Sequence, residues 1–402
     1  GYGNMNRSGY SLQTRSGVNA IGTLNVDLGF ITKGLNAKGL VSFESRSNNI
    51  TSALKGFVTY KYERHPSGLD EPIYTFDGDN EEDDQLSLGR STSSNWFLNM
   101  QMQLNYNRTF NEKHDVTAMV LFQRDLREAD GGDIPYNMVG LSVRGTYAFD
   151  SRYLMEVNMG YNGTEQFAPS KRFGFFPAFS LGWVISNEAF MANLRENGII
   201  SKLKLRASVG KVGNDGLGGT RFLYLDNISY HVDVNHIISL GNGGKISEKM
   251  LGNKNIHWET AWKQNYAIDL TLLKDLDLTF DYFIENRTDI LIARKTVPVI
   301  AGLTQSQLPR VNMGEINNKG FEVALSYKKY FTQHLSANIS GNFSYTKNKV
   351  ISADEAMLAK DYAYRYRDTG FSLGQNWGYV IDRSVDLEHG KDGSGFFNTN
   401  DD

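Results

Sequence analysis

The stretch LNMQMQLNY, residues 98–106, alternates strictly between large apolar side chains and uncharged amides. Successive side chains of an extended chain point to opposite sides, so this stretch predicts a β-strand with one oily face and one polar face. A strand that crosses a membrane within a β-barrel needs about nine to eleven residues, with an apolar outside and a wet inside. The oily row contains Leu98, Met100, Met102, Leu104 and Tyr106, and the polar row contains Asn99, Gln101, Gln103 and Asn105.

The same alternation recurs along the chain and predicts an all-β protein, in which about twelve strands form the wall of a transmembrane antiparallel β-barrel. Two further clear examples are LDLTFDYFIE (276–285) and LSANISGNF (335–343). The predicted wall strands are residues 18–31, 35–45, 96–110, 114–125, 139–149, 152–161, 173–184, 200–210, 261–273, 276–288, 320–330 and 335–345.

The connections between these strands alternate in length. Tight turns are predicted at 32–34, 111–113, 150–151, 274–275 and 331–333. Long extracellular loops are predicted at 46–95, 126–138, 162–172, 211–260, 289–319 and 346–402. Short turns at one rim and long loops at the other are typical of outer-membrane barrels, whose turns are periplasmic. The alternation requires that the strand-like stretch 57–62 belongs to the first long loop, and a further connection, 186–197, predicts a short helix capped by Ser186 or Asn187.

A soluble antiparallel sandwich or propeller would also alternate apolar and polar residues. Strands of soluble proteins usually span about five or six residues, whereas most of the predicted strands are about twice as long. The polar rows consist mainly of Asn, Gln, Ser, Thr and Asp, whereas solvent faces of soluble sheets more often carry Lys and Glu, which oppose aggregation. Both observations favour the barrel.

Composition excludes several classes of protein. The 402 residues contain no cysteine, so neither a disulfide framework nor a thiolate metal site is possible. The net charge is -3, and the charged residues are spread along the chain, so the sequence shows no basic cluster that would bind nucleic acid. The sequence contains no apolar run of about eighteen residues, which excludes a transmembrane helix. An aromatic content of 12%, mostly Tyr and Phe, suits the interfacial girdles of a barrel.

Five runs of the sequence resemble the barrel motifs of the SusC/RagA-type TonB-dependent transporters of Bacteroidota, in the same order and spacing. They are RFGFFPAFSLGW (172–183), LKLRASVGKVGND (203–215), NIHWET (255–260), NMGEINNKGFE (312–322) and LGQNWGYVID (373–382). The resemblance implies a place in the outer membrane of a Gram-negative bacterium. It also implies a 22-stranded barrel, of which this chain would be a fragment, with the plug domain and the TonB-engaging segment outside it.

The resemblance further implies TonB-dependent import of an oligosaccharide or peptide, together with a SusD-like lipoprotein that sits on the long extracellular loops. Two alternatives remain open: a structural or adhesive surface protein that transports nothing, and a passive, porin-like channel. An upstream plug and TonB-engaging segment would separate the importer from both.

Physical roles can be predicted for three of the motif runs. In the first, the row containing Phe173, Phe175 and Trp183 faces lipid, and Pro177 occupies a bulge or strand start because it cannot donate to a ladder. Trp258 is predicted to anchor the chain at the membrane boundary. Gly314 and Gly320 are predicted to bracket a polar re-entry into the wall that fixes register through turn geometry.

No catalytic motif is present, and the sequence predicts that the chain is not an enzyme. The run DGDNEEDD (77–84) spaces Asp77, Asp79, Glu81 and Asp83 somewhat like calcium ligands, but it lacks an acidic residue at the twelfth position, and a metal-free acidic loop is favoured. The same choice applies to the terminal group Asp392, Asn398, Asn400, Asp401 and Asp402, and to His231, Asp233 and His236, for which a solvated loop is favoured over a metal site.

Substrate contacts are predicted in the last long loop, where aromatic side chains lie near amides. The candidates are Tyr362, Tyr364, Tyr366 and Trp377. Packing against the lipoprotein, or folding of the loop itself, is the favoured explanation for them, and substrate contact is the alternative.

Overall fold

The computed structural model describes residues 9–56, 60–63, 73–76, 85–128, 134–232, 244–297, 300, 302–355 and 367–377. Twelve strands of this part of the chain form one antiparallel sheet, in which hydrogen-bonded neighbours follow chain order. The wall strands are β1 (Gly9–Asp27), β2 (Leu35–Leu54), β5 (Ser87–Phe110), β6 (His114–Glu128), β7 (Tyr136–Phe149), β8 (Tyr153–Thr164), β9 (Phe173–Val184), β10 (Ile200–Asn214), β13 (Glu259–Leu272), β14 (Leu276–Ile292), β15 (Val311–Tyr330) and β16 (Ser336–Ser352).

Two small hairpins lie outside the wall. One pairs β3 (Tyr60–Glu63) with β4 (Ile73–Phe76), and the other pairs β11 (Asn227–Val232) with β12 (Gly244–Met250). Residues 60–62 therefore belong to a connection between wall strands, as predicted. Residues 57–59 lie outside the described part of the chain.

Most wall strands are longer than the sequence predicts, so the predicted boundaries of the long loops are wrong by several residues. In the first loop, 46–95, the β2–β5 ladder continues from the pair Arg46 and Asn95 to the pair Leu54 and Ser87. β14 likewise continues to Ile292, and β15 begins at Val311, inside the predicted loop 289–319. In 46–49 and 89–95 the apolar row stops, whereas backbone pairing continues through residues that are polar on both faces.

The register assigns every wall strand two faces. Leu104 lies opposite Ala37 on β2 and Val120 on β6, which continues the oily row across three strands. On the other side of β5, Asn105 donates to Asn36 at 2.9 Å. We call these the apolar face and the polar face, and the two rows of residues 98–106 fall on them as predicted.

The short connections define one rim of the sheet, which we call the short-turn rim. Three turns have positive φ at both central residues, the conformation that matches the right-handed twist of a hairpin. Their central pairs are Asn111 with Glu112, Asp150 with Ser151, and Leu273 with Lys274. The opposite rim, where the long connections leave the strands, is the long-loop rim.

The predicted helix is present on the short-turn rim, but its predicted cap is wrong. Two 3₁₀ turns precede α1 (Ala192–Glu196), whose N-cap is Met191 without a side-chain hydrogen bond. Ser186 is instead buried, and its carbonyl oxygen accepts from Arg195 at 3.2 Å. No helix of the described residues is long and apolar enough to cross a bilayer.

An aromatic belt lies beside this rim. Ring centroids are 6.4 Å apart between Phe149 and Tyr153, and again between Tyr153 and Trp183. The Trp183 indole donates to Glu188 at 3.0 Å. Hydrogen bonds from Tyr153 and then Trp183 lower the pKa of Glu188, so this carboxylate stays charged and holds the polar ends of the belt at the membrane boundary.

Candidate functional site

Of the four predicted substrate residues, only Trp377 lies in the described part of the chain. Tyr362, Tyr364 and Tyr366 lie outside it. Trp377 is 42% exposed and packs edge-on against Phe371, with ring centroids 4.6 Å apart at 82°. It ends the segment 367–377, which we call the strap.

The strap folds back onto the long-loop end of β16. Gly370 N donates to Val350 O, and Val350 N donates to Phe371 O, both at 2.8 Å. Leu373 N donates to Asn348 Oδ1 at 2.7 Å, and Ser372 Oγ donates to Asn348 O at 3.2 Å. These bonds hold residues 370–373 at the long-loop rim, and the ring contact with Phe371 places Trp377 beside them.

Asp354 fastens this region to the preceding loop. Its carboxylate is almost fully buried and accepts from Lys295 N at 2.6 Å and from Thr296 Oγ1 at 2.5 Å. Burial opposes ionisation, but the bonds from Thr296 and Lys295, with the nearby Arg294, outweigh it and lower the pKa of Asp354. The carboxylate therefore joins residues 294–296 to the end of β16.

Asp354→Asn should loosen residues 295 and 296 at neutral pH, at a local cost of about 1–3 kcal/mol, because the amide offers one acceptor oxygen where the carboxylate offers two. Because the folded-state pKa is lowered, the ionised Asp354 stabilises this contact fully above the ordinary value of 3.8. That contribution is lost as the pH falls through the lowered pKa. Hydrogen exchange at the two amides, corrected for intrinsic rates, should show both effects. Asp226→Asn, which affects a bond to Gly252 in another loop, is the control; unchanged protection in Asp354→Asn would contradict the assignment.

Trp258 is not the boundary anchor that its sequence context predicts. It is 5% exposed and lies in an apolar cluster with Phe167, Leu217, Leu223 and Ile256 at the long-loop rim. Its ring meets Phe167 and Phe176 edge to face, at centroid distances of 5.7 and 5.2 Å. The indole nitrogen donates to Arg172 O at 2.9 Å. The ring therefore packs against protein, and its N–H group has a hydrogen-bond partner within the protein.

Four of the five motif runs meet at this cluster. Phe176 comes from the first run, and a Cβ on Gly213 of the second run would overlap its ring, so only glycine leaves enough room. The third run supplies Trp258. Asn312, at the start of the fourth, accepts from His257 N at 3.1 Å and donates to His257 O at 2.9 Å. The motifs therefore build a packed base for the long loops.

Two motif predictions are corrected by the ladders. Pro177 lies inside β9, opposite Met159, and not at a strand start or a bulge. The β9–β10 ladder ends at the next residue, Ala178, so the missing N–H costs no bond on that side. Residues 314–320 lie within continuous strand β15, and not in a re-entrant turn. A Cβ on Gly320 would overlap Tyr345 O and crowd the Phe283 ring, so close packing sets the register there.

Arg221 clamps three connections together, and sequence reasoning missed it. Its guanidinium lies 3.9 Å from the centre of the Tyr136 ring and 4.7 Å from that of Phe222, and it pairs with Glu165 at 3.2 Å. Glu165 also accepts from Asn137 N at 2.8 Å. Because these partners are distant in the chain, no local pattern indicated the contact.

Charged side chains are unevenly distributed over the polar face of the sheet. Arg206 on β10 pairs with Asp269 on β13 at 3.0 Å. Arg287 on β14 pairs with Glu259 on β13 at 2.9 Å and with Glu285 at 2.8 Å. By contrast, the polar row of β16 contains only amides and hydroxyls: Asn338, Ser340, Asn342, Ser344, Thr346 and Asn348.

The predicted calcium run, 77–84, lies outside the described residues, as do Asp233, His236 and the terminal group 392–402. His231 belongs to β11, with Lys245 of β12 as its ladder partner. Within the part of the chain that the structure describes, no three His, Asp or Glu side chains form a cluster that could hold a metal. Calcium in the acidic loop stays a prediction.

A long-stranded antiparallel wall with one apolar and one polar face, short turns at one rim and packed loops at the other defines an outer-membrane β-barrel protein. The chain belongs to the family of TonB-dependent receptor-like β-barrels, whose model matches residues 1–401. This family consists of outer-membrane receptors and not of enzymes.

Two curated relatives come from Formosa agariphila and Bacteroides thetaiotaomicron. TonB-dependent receptor P39 of the former is 30% identical over 317 residues, which cover 71% of this chain and 29% of the relative. TonB-dependent receptor SusC of the latter is 28% identical over 230 residues, which cover 56% and 22%. The chain thus spans less than a third of the length of these relatives. Among solved structures, the RagAB peptide transporter superposes with a TM-score of 0.66 at 17% identity, over 85% of this chain and 37% of that one.

Proposed function

We propose that this chain supplies wall strands and external loops of a TonB-dependent importer, which takes up an oligosaccharide or peptide across the outer membrane with a SusD-like surface lipoprotein. The observation that carries the proposal is the match of the receptor-barrel family along the whole chain. The two-faced wall agrees with it, because a polar inner face lets a polar nutrient pass through an apolar membrane.

The long-loop rim is the place where a surface lipoprotein would contact the barrel. The Trp258 cluster, the Arg221 clamp and the strap give this rim a fixed shape, which suits a docking partner. A relative of this chain is named SusC, and a structural neighbour is described as a peptide transporter. Those descriptions support a lipoprotein-assisted importer and leave oligosaccharide and peptide as the two cargo classes.

Uptake in the native host tests the proposal. Strains lacking the full receptor gene, or lacking TonB, should lose uptake of the nutrient that the wild type accumulates, and the intact receptor gene should restore it to the first strain. A tag on the full receptor should also isolate a surface lipoprotein in stoichiometric amount.

Two results would contradict importer function. Uptake that is unchanged in the receptor deletion would indicate a structural or adhesive protein. Uptake that needs the receptor but survives loss of TonB, together with ion conductance of the purified receptor in planar bilayers, would indicate a passive channel.

A further inference from the structure

We infer that the outer surface of the wall carries a binding site for a membrane lipid with a phosphorylated headgroup. The site is formed by Lys319 on β15 with Lys347 and Lys349 on β16, and we call these three residues the lysine cluster. It lies on the apolar face and not on the path of an imported nutrient, so the inference goes beyond the proposed function.

The strand register brings the lysine cluster together. Lys319 is the direct ladder partner of Lys347, and Lys349 lies two residues further along β16. Lys319 and Lys347 continue the rows that contain Phe321 and Tyr345, so they project from the same, apolar face of the sheet. All three lysines are exposed.

The cluster has no anionic partner of its own. Within the described residues, none of the three ammonium groups forms an ion pair. The neighbours of β15 on this face of β14 are Ile284 and Asn286, which are uncharged. Like charges directly opposite each other destabilise a sheet, as Lys319 and Lys347 do here. An external anion bound between them would remove this repulsion.

The depth of the cluster matches the edge of the hydrocarbon layer. One apolar row of β15 lies between Lys329, at the short-turn rim, and Lys319; its members are Tyr327, Leu325, Val323 and Phe321. Ten residues at about 3.4 Å each, in a strand tilted by about 35–45°, rise by about 24–28 Å. The apolar band of an outer-membrane barrel is about 25 Å tall. The cluster therefore lies at the level of the lipid headgroups on the long-loop side.

A second residue supports this depth. Trp262 of β13 lies in the same row across the sheet as Lys349, through the ladder partners Asn286 and Asn317. Its indole is 43% exposed on the apolar face. Tryptophan is enriched at the level where a membrane meets water, so this row marks the boundary on β13 as well as on β16.

The two ends of the β15 row differ in their balance of charge. At the short-turn rim, Lys329 forms an ion pair with Asp275. At the other end, Lys319 lies beside two further lysines, and the acidic residue of its row, Glu315, is about 14 Å away along the strand. A single lysine at a membrane boundary needs no ligand, whereas three uncompensated lysines on one side favour a bound anion.

The apolar surface next to the cluster favours a lipid over other anions. The Phe321 ring lies 6.1 Å from Phe280, 5.9 Å from Phe343 and 5.8 Å from Tyr345, measured between ring centroids. Phe343 and Tyr345 are 60% and 52% exposed. A lipid places a phosphate on the lysines and its acyl chains on these rings at the same time. Free phosphate would contact the lysines alone, and an acidic protein would have to enter the hydrocarbon layer to reach the rings.

Lipid binding to the purified full receptor tests the inference. Native mass spectrometry from detergent measures the affinity for diphosphoryl lipid A and for the same lipid without its phosphates. We expect the wild type to bind the phosphorylated form at least about tenfold more tightly, because each lysine at a membrane surface attracts an anionic lipid. The variant with Lys319→Gln, Lys347→Gln and Lys349→Gln together should lose most of this preference.

Two control variants accompany it. Replacement of the same three lysines by arginine keeps the charges and should keep the preference. Lys33→Gln, Lys113→Gln and Lys274→Gln together remove three exposed lysines from the short-turn rim and should leave it unchanged. Heat-dependent migration on denaturing gels shows that each variant is a folded barrel before its affinity is compared.

Four results would overturn the lipid site. The first is equal affinity of the wild type for the two lipid forms, and the second is an equal loss of preference in the control with the short-turn lysines removed. The third is displacement of the lipid by an equimolar amount of inorganic phosphate, which would indicate a site for a free anion. The fourth is loss of a copurifying surface lipoprotein from the glutamine variant with lipid preference intact, which would assign the lysines to a protein partner. None of these results depends on import.

Discussion

Met102→Arg is expected to destabilise the folded barrel by about 2–4 kcal/mol, the cost of placing a charge on the lipid face near the bilayer midplane. Met102 is the middle member of the oily row 98–106 and is 72% exposed on the apolar face. Little protein packing is lost at such a position, so the cost reports chiefly on contact with lipid. Urea titration of the full receptor refolded into lipid vesicles measures it.

The matched control for Met102→Arg is its neighbour, Gln101→Arg. Gln101 lies on the polar face, opposite Leu40 and Gln123, where a long charged side chain reaches water. We expect a cost well below that of Met102→Arg. Equal costs for the two variants would mean that the faces do not contact different media.

Trp258→Ala is expected to cost about 3–5 kcal/mol, the usual range for removing a large buried aromatic side chain. The loss should be local, because Trp258 packs against loop residues Phe167 and Ile256 and not against a core shared by the whole wall. Hydrogen exchange at Asn253 N, which donates to Leu223 O at 2.9 Å, should accelerate, while exchange at the short-turn rim stays unchanged.

Two controls accompany Trp258→Ala. Trp258→Phe keeps a ring and loses the bond to Arg172 O and part of the buried volume, so its effect should be smaller. Trp262→Ala removes an indole that is 43% exposed on the apolar face and should leave Asn253 protected. If Trp258→Ala left loop protection intact, the motif runs would not form the base of the long loops.

The wall could be predicted from sequence because the alternation of apolar and polar residues within each strand indicates the surroundings of its two faces. Alternation in 98–106, 276–285 and 335–343 fixes which residues share a face. This assignment requires no knowledge of contacts that are distant in sequence. The strand ends could not be predicted in this way. In 46–49 and 89–95 both faces are polar, so the alternation fades although the backbone ladder continues.

The long-loop rim could be predicted only in part. Trp258 was a conspicuous residue beside a strand, yet whether an indole meets lipid or protein depends on Phe167 and Phe176, far away in sequence. Arg221 gave no local signal, because its partners Tyr136, at the start of β7, and Glu165, just after β8, are far away in sequence. Contacts between loops depend on which strand ends the wall brings together beneath them.

A cysteine scan of residues 98–106, with a spin label at each position, tests the central claim most directly. This chain contains no cysteine of its own, so each label in it reports one site. In the full receptor in lipid bilayers, collisions with oxygen should peak at Leu98, Met100, Met102 and Leu104. Collisions with a water-soluble nickel complex should peak at the intervening amides. Equal accessibility on both faces, or the reverse order, would contradict a wall that stands between lipid and a polar interior.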